Sequence, residues 1–173
     1  MKTFFVVLAI VAAASARNLR LTGVEDCGGT IVSGSGAIYT DPILVPGSGE
    51  GELTLVFSQD LPTDLQLEKR VVKQGSGEMV PCLGNGFLGS CDVDVCGAIT
   101  TQPDVFCPYF PPDVPCECPL LAGETSFPLT LNLPAEYIQF GPGVYEQTLK
   151  MYSAADPATT LGCFLMTFTL AEA

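Results

Sequence analysis

The stretch "GCFLMTFTLA" (residues 162–171) alternates large apolar side chains with other residues at a period of two. In an extended chain, residues i and i+2 point to the same face of a sheet, whereas neighbours point to opposite faces. One face of this segment therefore carries Phe164, Met166, Phe168 and Leu170. The pattern predicts a β-strand with one wide apolar face.

Similar alternation recurs in earlier segments. The segment "GELTLVFSQ" (51–59) places Leu53, Leu55 and Phe57 on one face, and "FPLTLNLP" (127–134) does the same with Phe127, Leu129, Leu131 and Leu133. The segment "DLQLEKRVV" (64–72) alternates as well, except that Lys69 occupies a position on the otherwise apolar face. A further segment, "VYEQTLKMY" (144–152), is a predicted strand with less distinct faces.

Turn-forming residues separate these predicted strands, and helical periodicity is scarce. Turns are expected at "GGTIVSGSG" (28–36), "VPGSGEG" (45–51), "KQGSGE" (73–78) and "GPG" (141–143). Strands spaced in this way, without amphipathic helices between them, predict an all-β, single-domain antiparallel cup or sandwich.

The middle of the chain, residues 81–119, follows a different pattern. It holds six of the eight cysteines and seven prolines, and it shows little alternation. We expect an irregular segment tied down by local disulfides, with a short helix near "DVDVCGAI" (92–99).

The first sixteen residues have the layout of a secretory signal peptide. Lys2 precedes an apolar run from Phe4 to Ala13, and the small residues of "ASA" (14–16) follow it. The apolar run is too short to span a bilayer. We therefore expect cleavage after Ala16, a secreted protein, and one mature domain over residues 17–173.

Two cysteines lie one residue apart in "PCECP" (115–119). On one face of an extended segment, Cys116 and Cys118 could hold a metal together, or each could form a disulfide with a different partner. Secretion and an even number of cysteines favour disulfides. The chain also contains no His, so an all-thiolate zinc site is the one metal alternative left, and no metal or cofactor is expected.

The charge of the chain is strongly negative. Without Lys2, six basic and nineteen acidic residues remain in the mature chain, which gives a net charge of −13. Such a surface repels nucleic-acid phosphates, and it repels anionic membranes at neutral pH. The absence of His removes the usual catalytic triads and pairs. Asp92 and Asp94 come nearest to a functional pair of carboxylates, but a lone D-x-D is too weak a pattern to predict a calcium site or a glycosidase site.

Seven short segments, spread over nearly the whole mature chain, can be compared with known families by their residues and their order: "ILVPG" (43–47), "LQLEKRV" (65–71), "VPC" (80–82), "GSCDVDVC" (89–96), "PCECP" (115–119), "LPAEYI" (133–138) and "LGC" (161–163). With the eight cysteines, they resemble the ganglioside G(M2) activator family, lipid-binding sphingolipid activators with an ML-like β-cup domain. The resemblance implies a cup whose apolar cavity holds the acyl chains of a lipid, with the polar headgroup at the rim. It also implies disulfides Cys27–Cys163, Cys82–Cys91, Cys96–Cys118 and Cys107–Cys116.

The implied function is that of a secreted lipid carrier. It would extract a glycosphingolipid or phospholipid from a membrane and present it to a glycoside hydrolase, in the lysosome or outside the cell, without being an enzyme itself. A sterol or microbial-lipid sensor on the same cup is an alternative. A secreted structural or inhibitory protein with a solid core is another.

Two sets of residues are candidates for the lipid site. The cavity would be lined by Leu53, Leu55, Phe57, Leu129, Leu131, Phe164, Met166 and Phe168, although such faces also fill ordinary cores. The segment "LPAEYIQFGPG" (133–143) would present Tyr137, Ile138 and Phe140 to a membrane, since a Tyr ring is apolar and its hydroxyl polar. The alternative is that these three side chains pack inward.

Acidification is expected to speed lipid extraction from anionic vesicles. Between about pH 7 and about pH 4.5 a substantial fraction of exposed carboxylates becomes protonated while the six bases stay charged, so repulsion from the vesicle falls. Transfer of a fluorescent lipid, measured across this pH range at low and high salt, tests the expectation. Salt should flatten the pH dependence, and a rate that falls under acid while the protein stays folded would contradict the prediction.

Overall fold

The computed structural model describes residues 23–83 and 89–173. The predicted signal peptide (1–16) and the first residues of the mature chain lie outside the described residues. Within the described part, nine strands form one sheet. Their bounds are β1 Gly23–Asp26, β2 Val32–Ile38, β3 Ile43–Val45, β4 Gly47–Phe57, β5 Leu65–Lys73, β6 Asp92–Asp94, β7 Gly123–Leu133, β8 Gly143–Ser153 and β9 Gly162–Glu172.

The strand order along the sheet is β6-β5-β8-β9-β1-β2-β4-β7, and the neighbours in this order are antiparallel. The short strand β3 pairs with β9 in parallel. Leu55 on β4 and Leu65 on β5 belong to one buried cluster although four strands separate β4 from β5 in the sheet. The sheet must therefore curl over its own inner face, which confirms the predicted antiparallel cup.

Strand β9 lies near the centre of the sheet, and its predicted apolar face is buried along its whole length. Phe164, Met166, Phe168 and Leu170 are between 0% and 5% exposed. The first two belong to a cluster with β4 and β5, which we call the first core cluster. The other two belong to a second core cluster with β3 and residues of the β7–β8 connection. A disulfide between Cys27 and Cys163 ties the start of β9 to the chain just after β1.

Two of the predicted turn segments are confirmed only in part. Residues 28–31 connect β1 to β2, and Pro46 lies between β3 and β4, but the remaining residues of 28–36 and 45–51 contribute most of β2 and the first half of β4. Glycine is needed there because neighbouring groups approach closely: a Cβ on Gly49 would lie 2.7 Å from Cδ1 of Ile43, which is fully buried. The other two turns are confirmed, with positive φ at Gly75, Gly77 and Gly141.

The cysteine-rich middle contains short helices. Helix α1 spans Val95–Thr101, where a helix was predicted, and the Asp94 carboxylate accepts a hydrogen bond from the Gly97 amide at its N-terminus. Helix α2 spans Pro103–Phe106, and a 3₁₀ turn, η1, spans Cys107–Tyr109. Residues 110–122, between η1 and β7, have no regular structure, and we call η1 together with them the cysteine-rich wall (residues 107–122).

Truncation of Phe164 should destabilise the fold strongly. Its ring is fully buried in the first core cluster, so Phe164→Ala leaves a large void and should lower the free energy of unfolding by about 3–5 kcal/mol. Urea unfolding of the oxidised protein measures this. Val56→Ala, on the outward face of β4, is the control and should change stability by less than about 0.5 kcal/mol.

Candidate functional site

An apolar cavity of about 240 Å³ lies between β4 and β7 on one side and β5 and β8 on the other. The exposed surface inside it is wholly apolar. Its lining residues are Leu53, Leu55, Phe57, Leu61, Leu65, Leu67, Val95, Tyr109, Leu120, Phe127, Pro128, Leu129, Leu149 and Met151. The first core cluster ends at this cavity instead of closing into a solid core.

A second cavity, of about 260 Å³, adjoins the first. It lies between the start of β7 and residues 113–122 of the cysteine-rich wall, and its lining mixes apolar side chains with Asp113, Glu117 and Glu124. We call it the mixed cavity. Phe57, Leu120 and Phe127 line both cavities, so a partition of three apolar side chains separates the two spaces.

Aromatic packing strengthens this partition. The Phe127 ring meets the Phe110 ring edge to face, with centroids 5.8 Å apart and planes at 87°. Phe110 belongs to the cysteine-rich wall, whereas Phe127 belongs to β7, the strand at the end of the sheet. The contact therefore holds the wall against the sheet edge at the point where the two cavities meet.

The wall is anchored by disulfides and backbone hydrogen bonds. Cys118 pairs with Cys96 of α1, and Cys116 pairs with Cys107 of η1. The two cysteines of "PCECP" thus join different partners. With Cys82–Cys91 and Cys27–Cys163, these bonds form the same pairing that the family resemblance implies.

The amide of Leu61 donates to the Leu120 carbonyl at 2.8 Å, and the Ala122 amide donates to Oδ1 of Asp60 at 2.8 Å. These bonds fix the end of the wall to the loop that follows β4. Among the described residues, no group of three or more His, Cys, Asp or Glu side chains is placed to hold a metal ion. None of their helices is long and apolar enough to cross a membrane.

The structure divides the eight predicted cavity residues into two groups. Four of them line the apolar cavity: Leu53, Leu55, Phe57 and Leu129. The other four lie outside its lining: Phe164 and Met166 are buried in the first core cluster, Phe168 is buried in the second, and Leu131 packs against the second. Phe168 also stacks on the Tyr145 ring, with centroids 5.9 Å apart.

Several lining residues were not among the predicted ones. Leu67, Leu149 and Met151 come from β5 and β8, and the apolar side of "DLQLEKRVV" was the signal for the first of them. Tyr109 and Leu120 belong to the cysteine-rich wall, where no periodic pattern marks which side chains point inward.

The predicted membrane segment forms a 3₁₀ helix, η2, over Ala135–Phe140. Tyr137 is only 5% exposed and packs edge to face against Phe140, whereas Ile138 is 44% exposed. Burial raises the pKa of Tyr137 to about 12. Nζ of Lys73 donates to the Phe140 carbonyl at 2.7 Å, which fixes the end of η2. Of the three residues, Ile138 is the one that the structure presents to solvent.

The acidic pair noted in the sequence has structural contacts. Asp94 caps α1, and Oδ1 of Asp92 lies 2.8 Å from a guanidinium nitrogen of Arg70. Hydrogen bonding to Asp92 raises the pKa of Arg70. Both carboxylates therefore support the junction between β5, β6 and α1.

Lys69 lies on the inner face of β5. It alternates with Leu67, which lines the apolar cavity, and Val71, which is buried in the second core cluster. Its partner across β5 and β8 is Leu149, another cavity residue. Burial lowers the pKa of Lys69 from 10.5 to about 8, because desolvation disfavours the charged amine.

No family model matches the chain. No curated protein matches it either. A solved structure of a Niemann-Pick type C2 protein from Japanese carpenter ant is similar, with a TM-score of 0.51 and 15% sequence identity. The match covers 84% of this chain and 97% of that one. The chain therefore shares its β-cup fold with that protein.

The pKa of Lys69 predicts a pH dependence of stability. Above about pH 8 the folded protein loses a proton that the unfolded chain keeps to about pH 10.5, so stability rises with pH in this window. Lys69→Met removes the titrating amine and should abolish this rise, which in the wild type amounts to about 1–2 kcal/mol by pH 9.5.

Urea unfolding from pH 7 to about pH 9.5, below the ordinary range of tyrosine titration, measures this effect. The matched control is Lys150→Met, which removes a lysine from the opposite face of the neighbouring strand β8 and should keep the rise. Equal pH dependence in the wild type and Lys69→Met would contradict the prediction.

Proposed function

We propose that this protein is a secreted lipid-binding and lipid-transfer protein, which takes a glycolipid or phospholipid from a membrane and holds its acyl chain inside the cup. The apolar cavity carries this proposal. Exposing a lipid tail to water costs about 0.8 kcal/mol per methylene, so a carrier needs an enclosed surface without polar groups. The wholly apolar lining of the cavity, which is open to solvent on one side, supplies the apolar part of this requirement.

The two cavities are proposed to act as parts of one site. Small-molecule sites occupy about 300–1,000 Å³, and neither cavity alone reaches this range. Rotation of the Phe127 ring away from Phe110 would join them across the partition. The joined space would place an acyl chain in the apolar cavity and the polar end of the lipid beside the mixed cavity.

The same cavity disfavours the solid-core alternative. Large contiguous apolar surfaces that are open to solvent are rare on soluble proteins and mark binding sites. A space of about 240 Å³ lined by leucine, phenylalanine and methionine leaves many side chains without packing partners on one side. A structural or inhibitory protein would gain stability by filling this space.

The presentation of lipid to a glycoside hydrolase is the finer part of the proposal. Two observations support a ganglioside activator role: the seven sequence segments that resemble that family, and the disulfide pairing. Four disulfides also suit an oxidising compartment, so extracellular fluid or the lysosome is the proposed location. The ligand would be the lipid itself, with no cofactor, and the chemistry would belong to the partner enzyme.

Native mass spectrometry of freshly purified protein tests the central claim. Lipid-sized adducts would support a carrier, and their masses would separate acyl lipids from sterols. A bare mass, even after incubation with phospholipid or glycolipid vesicles, would contradict the proposal. Adding a glycoside hydrolase to glycolipid vesicles, with and without the protein, tests the presentation step.

Filling the apolar cavity should block lipid uptake. Leu129→Trp adds a large side chain to the lining, so we expect binding of a monomeric fluorescent fatty acid to fall about tenfold or more. Thr130→Trp adds the same side chain to the outward face of β7 and should leave binding unchanged. Titration of both variants against the wild type, with melting curves to check folding, measures the effect. Equal binding in all three would contradict a site in this cavity.

A further inference from the structure

Two polar side chains lie among apolar ones on the inner face of the cup. One is Lys69 on β5, and the other is Gln147 on β8. Gln147 alternates with Tyr145, which is 1% exposed, and with Leu149, which lines the apolar cavity. Its partner across β8 and β9 is Met166, which is buried in the first core cluster. Both polar side chains therefore start from the face that points into the cup.

The register of β5 and β8 makes these two residues neighbours. Lys69 pairs with Leu149, and Val71 pairs with Gln147, so Lys69 and Gln147 are diagonal partners on one face. Diagonal partners are about 7–8 Å apart, and long side chains can meet across this distance. The Lys69 ammonium and the Gln147 amide can therefore donate hydrogen bonds to one acceptor group placed between them. We call the two residues the inner polar pair.

The inner polar pair lies where the apolar cavity ends. Leu67 and Leu149 line the cavity, and they are the neighbours of Lys69 along β5 and across β8. On the other side of Lys69, Val71 belongs to the second core cluster. Lys69 itself is outside the lining, so its flexible four-carbon stem must carry the amine to the cavity. A ligand chain that filled the cavity to its inner end would reach this position.

We propose that the inner polar pair binds the carboxylate of a fatty acid whose alkyl chain occupies the apolar cavity. This ligand class goes beyond the glycolipids and phospholipids of the proposed function, but the inference rests on that function because it uses the same cavity. The fatty acid would lie with its carboxylate toward the interior of the cup. The polar end of a phospholipid would lie the other way, beside the mixed cavity.

Lys69 gains from a bound carboxylate because its amine is desolvated. Desolvation by burial lowers the pKa of Lys69 from 10.5 to about 8, so the surroundings destabilise the charged form. A carboxylate within hydrogen-bond distance favours the charged form, and hydrogen bonds between charged groups are about twice as strong as neutral ones. At pH 7 the amine is still charged and a carboxylic acid is ionised. A bound fatty acid would thus stabilise an ammonium group that the protein alone destabilises.

The charge of the site fits a carboxylate better than a phosphate. The other three basic residues among those that the structure describes are placed elsewhere: Arg70 and Lys150 lie on the outward faces of β5 and β8, and Nζ of Lys73 binds the Phe140 carbonyl. One ammonium group balances the single charge of a carboxylate. A phosphate monoester carries about 1.5–2 negative charges at pH 7, so part of its charge would stay uncompensated beside an apolar lining.

Competition binding to the full oxidised protein at pH 7 tests the proposal. The probe is the uncharged dye N-phenylnaphthylamine, and the competitors are lauric acid and lauryl alcohol, which have the same chain length. Lys69→Met keeps the length of the side chain and removes its charge. We expect this variant to bind lauric acid about tenfold more weakly and lauryl alcohol within about twofold of the wild type, because only the acid loses a charged partner.

Two further variants locate the effect. Gln147→Met removes the amide of the inner polar pair and should weaken the binding of lauric acid several-fold, again without changing that of lauryl alcohol. The matched control Lys150→Met removes the same charge from the outward face of β8 and should leave the binding of both competitors unchanged. Melting curves check that each variant is folded.

An equal loss of acid and alcohol binding in Lys69→Met would show a packing role and overturn the proposal. Unchanged acid binding in Lys69→Met, or the same loss in Lys150→Met, would overturn it as well. Tighter binding of lauryl phosphate than of lauric acid to the wild type would overturn the choice of a carboxylate. Each of these results leaves the proposed function standing, since lauryl alcohol still binds the wild type. A folded wild type that binds neither the dye nor lauryl alcohol would instead count against the proposed function itself.

Discussion

Strand β9 contributes its inner face to both buried clusters, with Phe164 and Met166 in the first and Phe168 and Leu170 in the second. Each of these side chains is worth about 1.5–3 kcal/mol when it is fully removed from water. A flat sheet would leave them exposed, so the strands on both sides of β9 must fold over its inner face. The curl of the sheet, and therefore the existence of an interior, follows from this burial.

Alternation in the sequence predicted the strands that face the interior but missed those rich in glycine. The segments around Leu53, Leu129 and Phe164 carry a large apolar residue at every second position, the segment around Leu67 does so except at Lys69, and each forms a strand. The first half of β4 carries glycines at Gly47, Gly49 and Gly51. There the requirement is space for Ile43 and for the neighbouring backbone, and a missing side chain produces no apolar pattern.

The candidate site was predictable only in part, because alternation identifies the buried face without telling whether the space in front of it is filled. Leu55 and Phe164 have the same pattern in the sequence, and both belong to the first core cluster. Leu55 borders the cavity, whereas Phe164 is enclosed by packed neighbours. The difference arises from what lies across the cup, at the cysteine-rich wall. The wall has no periodicity, since prolines and disulfides fix its path, so its inward side chains could not be read from sequence.

The two ends of the cup differ in how they are closed, and this difference gives the molecule a direction. At the η2 end, Tyr137 and Tyr145 fill the interior, and Lys73 and the Tyr145 hydroxyl bind the carbonyl at the end of the helix. At the other end, one disulfide ties the wall to α1 and another lies within the wall, and the wall meets β7 at the Phe110–Phe127 contact, beside which the two cavities lie. A segment supported by covalent bonds does not need a filled core beneath it. The disulfides therefore help to hold the wall beside an apolar cavity at one end, while the second core cluster fills the other end.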